Sequence, residues 1–302
     1  MELSLIMRLR IAAAAAVGII LIGIFAWPLA EPIDPFAAVS LFAGDMSAYG
    51  AIALAGLALL TGLLAYFAAW PYGRQIGILA VPSGLAIWAI RTGSVANLVR
   101  LNPTVTQRQD LFAALRWEPV YWLAVVAVGF LGVLLGQKIS QQKSNPDQTQ
   151  QKPHTKSDSY VNAAIALIGT VLIAKLCLAI FAQDIRIFDE KLGSVIAQPA
   201  IGQVVFAVLI SFGISAFVVK KFFDISYIWP IAATALLPVF VSIIHVKQNI
   251  LQHLAQSWPA VFFSNVTMCI LPVQMVAFGT LGSIAGYWLA VRYNYWRKHD
   301  GK

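Results

Sequence analysis

The sequence predicts an all-α fold: a polytopic transmembrane helical bundle of about eight spans, arranged as a tandem duplication of a four-helix unit. Three features carry that reading. Hydrophobic residues make up 59% of the 302 residues and charged residues only 11%, against ~25% charged in an ordinary soluble domain. Uncharged runs reach the ~20 residues that a bilayer-crossing helix needs. Helix starts in the two parts of the chain recur at a spacing near 150 residues. Together these exclude a soluble globular protein, a disordered tail and a nucleic-acid-binding domain, because too few charges remain to solvate a surface. The formal net charge of +8 is therefore to be divided between the two sides of a membrane, not matched to a nucleic acid.

The first run, residues 11–29, follows Arg8 and Arg10 and has the outline of a signal peptide. Its length exceeds a usual apolar region of roughly 7–15 residues, and cleavage after Ala30 would put Pro28 where a small residue is needed. It reads as a retained first helix. Runs at 46–73, 119–137, 192–219 and 225–246 are each long enough to span. The run at 75–90 is short, ~24 Å at ~1.5 Å per residue, but Arg74 and Arg91 flank it and can snorkel to the two interfaces. Residues 159–183 carry one charge, Lys175. The last apolar stretch, 248–291, is too long for one crossing; it divides into a surface segment over 247–271 and a span from Pro272. The prolines Pro82, Pro230, Pro238 and Pro272 mark kinks or breaks.

Lysine and arginine counts set the orientation. With eight spans and both termini cytoplasmic, thirteen basic residues lie inside and seven outside. Making the short third run re-entrant would even the count to ten and ten. Glu31, Asp34, Asp45, Asp184, Asp189 and Glu190 all fall outside. The expected location is the bacterial inner (cytoplasmic) membrane. Residues 138–159 are polar and rich in Gln, Lys and Ser; such a stretch cannot offset its ordering entropy. It reads as a flexible cytoplasmic linker between a first four-helix half, 1–137, and a second, 160–302.

The repeat is plainest in the last helix of each half. Val126–Gly136 and Val276–Gly286 align without gaps, with six of eleven positions identical, among them Gly129, Gly132 and Gly136 against Gly279, Gly282 and Gly286. Small residues at this spacing let helices approach closely in lipid. The two glycine faces are expected to meet each other across a pseudo-two-fold axis along the membrane normal. Each half also carries a segment too polar to span. In the first, Val95, Leu98 and Val99 form one apolar face, and Thr106 caps a short helix presenting Leu111, Phe112 and Leu115. In the second, Ile250, Leu251, Leu254 and Trp258 form the apolar face. Both read as helices lying in the outer interface, with Trp117, Trp122 and Trp258 as belt residues.

Chemistry-bearing motifs are sparse. No HExxH, GxSxG, GxGxxG or GxxxxGK[ST] occurs, so no catalytic residue, cofactor or metal is assigned. Cys177 and Cys269 lie in apolar stretches and read as packing residues. His154 lies in the linker and reads as solvated, and His299 lies at the C-terminus; His245 and His253 read as interface hydrogen-bonding groups. Lys175 is the strongest single signal. An ammonium deep in a bilayer costs ~2.5–3.5 kcal/mol on insertion scales, so it is expected to face the bundle. It is there either to hold an anionic group or to bond backbone carbonyls and nearby acids. Arg100, Arg108 and Arg116 form, with Arg91, an outer basic set whose forks suit phosphate or carboxylate; ordinary lipid phosphates satisfy the same geometry. The expected partners are the lipid bilayer, an anionic lipid or solute, and other membrane subunits. Two functions fit. One is a transport-type, permease-like protein with a ligand path between its halves. The other is a non-catalytic subunit or assembly factor of a larger membrane complex.

Overall fold

The computed structural model describes residues 4–42, 44, 46–141, 156–223, 225–258 and 261–299. Eight of the described helical segments are long and apolar enough to cross a membrane, the make-up of a multi-pass integral membrane protein. Helix α1 (Leu5–Gly18) is capped by the Ser4 hydroxyl, which accepts from the Met7 N–H, and continues through a π-helical stretch, Ile19–Phe25. The crossing thus begins before the uncharged run: Arg8 and Arg10 sit inside it, their long stems letting the charges reach an interface. Helix α2 (Ala48–Ala68) is capped by Ser47. The third crossing is assembled from α3 (Gly73–Ile76), a 3-10 turn (Gly77–Leu79) and α4 (Ala80–Arg91).

At one end of the bundle, called here the cap end, α5 (Val95–Leu101) and α6 (Val105–Leu115) lie between the third and fourth crossings. Val95, Leu98, Val99, Leu111, Phe112 and Leu115 are all buried, as the pattern predicts. The cap of α6 is Thr104, not Thr106: Thr104 and Gln107 form a reciprocal capping box, which satisfies two orphan donors where a lone threonine would satisfy one. Helix α7 (Glu118–Gln141) makes the fourth crossing and α8 (Lys156–Phe181) the fifth. Both ends of the 138–159 segment are therefore helical, and its middle, with His154, lies outside the described residues. Helices α9 (Ile201–Phe223), α10 (Ile228–His245) and α12 (Pro272–His299) complete the crossings. Of the four marked prolines only Pro238 is interior to a helix; Pro82, Pro230 and Pro272 stand in first turns, where the missing N–H has no helical acceptor to lose.

The second half has its own cap. Strands β1 (Arg186–Ile187), β2 (Val195–Ala197) and β3 (Phe262–Phe263) form a small antiparallel sheet in that order, with Ile187 opposite Val195 and Ala197 opposite Phe262. Gly193, at φ +73°, makes the turn between β1 and β2, a backbone conformation a side chain would strain. Helix α11 (Gln248–Ser257) precedes β3, and a 3-10 turn (Val266–Cys269) leads into α12. The apolar face of α11 turns inward: Leu251 and Leu254 are buried where α11 packs on α6.

Within each half the helix neighbours follow the same plan. Helix α1 packs on α2 and α4, and α2 on α7; α8 packs on α9 and α10, and α9 on α12. Across the boundary α12 packs on α4 and α7, and α10 packs on α7. The glycine faces do not meet each other, contrary to expectation. A Cβ at Gly132 would lie 2.0 Å from the Leu59 carbonyl oxygen on α2, and one at Gly282 would lie 2.3 Å from the Leu209 carbonyl oxygen on α9. Gly129 abuts a Val81 methyl, Gly279 a Thr234 methyl, Gly136 the Tyr66 ring and Gly286 the Gly213 carbonyl. The contacts are made inside each half because α2 and α9 lie alongside α7 and α12 over most of a crossing, which lets close backbone approach extend along the helix.

Two other side chains depart from expectation. Trp122 is fully buried, 6.0 Å from the Trp88 ring in an edge-to-face pair, whereas Trp117 is exposed as a belt residue would be. Glu118, at the start of α7, is buried and fastens residues 40–42: one carboxylate oxygen accepts from the Ser40 hydroxyl and from the Phe42 N–H at 3.3 Å.

Alanine at Gly132 or at Gly282 must push a backbone carbonyl aside. Each is expected to cost about 1–3 kcal/mol, read as a lower thermal midpoint of the detergent-solubilised protein. Gly56, exposed with nothing within 4 Å of an added Cβ, is the control. An unchanged midpoint in Gly132→Ala would contradict the contact.

Candidate functional site

The cap end holds two groups of polar side chains. The first closes the second half's cap. Asp189, in the turn after β1, accepts from the backbone N–H groups of Lys191 and Leu192 at 2.9 and 2.8 Å. Trp258 donates its indole N–H to the same carboxylate at 2.8 Å. His253 Nε2 lies 2.9 and 3.0 Å from the two carboxylate oxygens, and Ser257 Oγ is 3.2 Å from His253 Nδ1. Burial alone would raise the Asp189 carboxyl; the hydrogen bonds from Trp258, Leu192, His253 and Lys191 overcome it and hold the group well below the usual carboxylate range.

Serine, histidine and aspartate in one chain suggest a nucleophile relay, but the nearest backbone donor is engaged elsewhere. The N–H following Ser257 is already bonded to the Leu254 carbonyl at 3.1 Å, so it is not free to stabilise an oxyanion. Serine four residues after histidine on a helix is also a local pairing. The chain is best understood as a clasp fixing α11 to the β1–β2 turn.

The second group lies on the boundary between the halves. A cleft of about 20 Å³ is lined by Val99, Arg108 and Phe112 from the first half and by residues from His245 to Met268 of the second. That is room for one water, or one oxygen of an anion. The α6 register points Arg108 at the cleft while Leu111, Phe112 and Leu115 anchor the helix below it. Arg108 Nε donates to the Asn102 carbonyl at 3.2 Å, and Asn102 is itself held by the Leu98 carbonyl at 2.8 Å. The terminal guanidinium nitrogens have no hydrogen bond among the described residues. His245 ends α10. Asn265 accepts the Thr267 N–H with Oδ1 at 2.9 Å, which turns its amide NH2 toward His245 Nε2 at 3.5 Å. With Nε2 facing a donor, the other ring nitrogen carries the proton.

Lys175 and Lys247 both act electrostatically on the His245 ring. Lys175 does not line the cleft, and it is not placed as expected: it is exposed on the outer face of α8, beside exposed Ile168, Leu172 and Leu176, rather than turned into the bundle. Helix α8 ends at Phe181, so Lys175 lies only ~9 Å below the helix end at ~1.5 Å per residue. Its stem spans most of that distance, which lowers the cost of exposure. Arg100 and Arg116 are not brought into the cleft: Arg100 is exposed on α5, and Arg116 closes α6 with its Nε buried and without a partner. Arg91 stacks over the Trp27 ring at 4.3 Å. His245 is the cleft residue that the sequence alone undervalued. Its placement at the end of an apolar run, next to Lys247, was the available signal.

A second cavity, about 200 Å³, also lies between the halves, lined by Ile78, Leu123, Val126, Ala127 and Phe130 of the first and by Tyr227, Ile228, Ile231 and Ala232 of the second. Its walls are almost wholly apolar. No protein-family model, curated protein or solved structure matches the chain.

The depressed Asp189 carboxyl fixes a pH dependence for the clasp. Its stabilising contribution is present above the unfolded carboxyl value of about 3.9 and is lost as pH falls through the lower folded value. Trp258 emission should change as the pH falls below ~4, through the carboxylate range. Asp189→Asn should shift that emission at neutral pH. An acid-induced change that is the same in the wild type and in Asp189→Asn would overturn the assignment.

Proposed function

We propose that the chain is a transport-type membrane protein, two tandem-duplicated four-helix halves with a ligand path along the boundary between them, both termini facing the cytoplasm. The observation that carries the reading is the position of the two cavities. Both lie where residues of the first half face residues of the second, one at the cap end with Arg108 and His245 set in a largely apolar wall and one with apolar walls nearer the start of α10. Ligand sites at repeat interfaces are the usual arrangement in transporters built from repeats. The paired contacts Gly132–Leu59 and Gly282–Leu209, each 150 residues apart, support the duplication. They also tie each half together internally, which leaves the boundary as the surface along which motion is cheapest.

One observation favours the second reading, a non-catalytic subunit or assembly factor. Lys175 on the exposed apolar face of α8 could meet an acidic group on a neighbouring membrane protein. The two readings part in one experiment. The purified chain in liposomes is assayed for leaflet exchange of labelled phospholipids and for uptake of radiolabelled carboxylates. Transport predicts movement above protein-free vesicles, slowed several-fold by Ala127→Trp, which fills the apolar cavity. No movement of any probe, with a second membrane protein co-purifying in fixed ratio, would establish the subunit reading instead.

A further inference from the structure

The cationic cleft holds positive charge that nothing in the described chain neutralises. Arg108 has one nitrogen bonded to a carbonyl and the rest of its fork unused. Lys175 and Lys247, which do not line the cleft itself, have no hydrogen bond or ion pair among the described residues, and the charge of each acts on the His245 ring. The buried carboxylates at this end are committed elsewhere: Glu118 to Ser40 and Phe42, Asp189 to the clasp. Asp110, on the same helix as Arg108, is exposed. Converging cations without a counter-charge at the edge of a membrane call for an anion from outside the chain.

The surroundings narrow its chemistry. Lys175 is continuous along α8 with exposed Leu172 and Ile168 one and two turns deeper, and Ile244 beside His245 is exposed on α10. A ligand that places its charge at the cleft therefore lays its remainder against apolar helix faces at hydrocarbon depth. The cleft itself has room for one anion oxygen, not for a whole phosphate, so the group sits at its mouth with one oxygen inserted.

We propose that the mouth of this cleft is a binding site for a lipid with an anionic phosphate headgroup, its phosphate held jointly by Arg108 of the first half and by His245, Lys247 and Lys175 of the second, its acyl chain lying along α8. This names the ligand class of the path proposed above and rests on that reading for its role, but not for its test. The phosphate accepts from the guanidinium fork and the two ammonium groups, and the protonated ring nitrogen of His245 supplies a further donor. A zwitterionic headgroup carries its own cation into this positive field and is disfavoured.

The test is binding by native mass spectrometry of the detergent-solubilised full chain, titrated separately with phosphatidylglycerol, phosphatidylcholine and inorganic phosphate. Phosphatidylglycerol should bind at least ~10-fold more tightly than phosphatidylcholine, as expected for charge-assisted contacts. Arg108→Gln and Lys175→Met should each reduce that preference several-fold, while Arg100→Gln, outside the cleft, leaves it intact. Lys175→Met lies on an exposed face, so its effect is not a folding effect. Equal retention of the two lipids, or a preference unchanged in both cleft variants, would overturn the proposal. Inorganic phosphate binding as tightly as phosphatidylglycerol would overturn the lipid assignment and identify a free-phosphate site. Selective lipid binding without leaflet exchange in liposomes would uphold the site and remove the transport reading.

Discussion

Close backbone approach between α2 and α7, and between α9 and α12, is the contact on which the arrangement of the other helices depends. Inside lipid, side chains gain little by leaving hydrocarbon for protein, so association rests on dispersion and on how near two backbones come. At Gly132 and Gly282 a single missing Cβ lets a helix rest on a carbonyl of its neighbour. These two pairs define the direction of the four helices they contain. The shorter crossings, α3–α4 and α10, then fit beside them: Val81 fills the notch at Gly129 and Thr234 the notch at Gly279. Only after this are α4 and α12 close enough to pack on each other, and α4 is enclosed even though its apolar run is short. Enclosure by protein removes the need to match the bilayer thickness that made that run look marginal.

The spans were legible because length and apolarity are what the bilayer selects for, and both are printed in the sequence. Their ends were not. Helix boundaries follow backbone hydrogen bonding and caps, so α1 runs back through Arg8 and Arg10, and α7 and α8 run into the polar segment that composition marks as linker. The glycine spacing announced a close approach but could not name the partner, since a face without side chains fits any helix that lies alongside it. Trp122 shows the same limit. A tryptophan at a span end reads as a belt residue, yet this one is buried against Trp88. The three short strands carry two or three residues each, too few for a period to be visible.

The candidate site was legible in its parts and not in its assembly. Lys175, Arg108, Arg100 and Arg116 all stand out as cations in or beside apolar sequence. Which of them converge is decided by the packing of α6 on α11 and of α8 on α10, neither of which leaves a trace in either segment alone. Helix α6 turns one arginine to the cleft and leaves the next, two turns later, with its Nε buried at the helix end. Lys175 faces outward for a physical reason. Helix α8 stops at Phe181, so the ammonium has less hydrocarbon to escape and need not enter the bundle.

The division of the cap residues between the halves gives the site its mechanical character. Asp189, His253, Ser257 and Trp258 all belong to the second half, and their clasp fixes α11, which packs on α6 of the first half, to the sheet. Around the cleft, His245, Lys247 and Lys175 also belong to the second half. Arg108 alone comes from the first, carried on α6 and held by Asn102. An anion at the mouth of the cleft is therefore a bond between the halves, and its energy depends on how far Arg108 stands from the other three. A ligand biases a conformational equilibrium only through contacts that differ between the states. In the proposed reading the Arg108 contact is the one that spans the two halves, because the other three cations all come from the second. That places the coupling between binding and movement on one guanidinium rather than on the cluster as a whole.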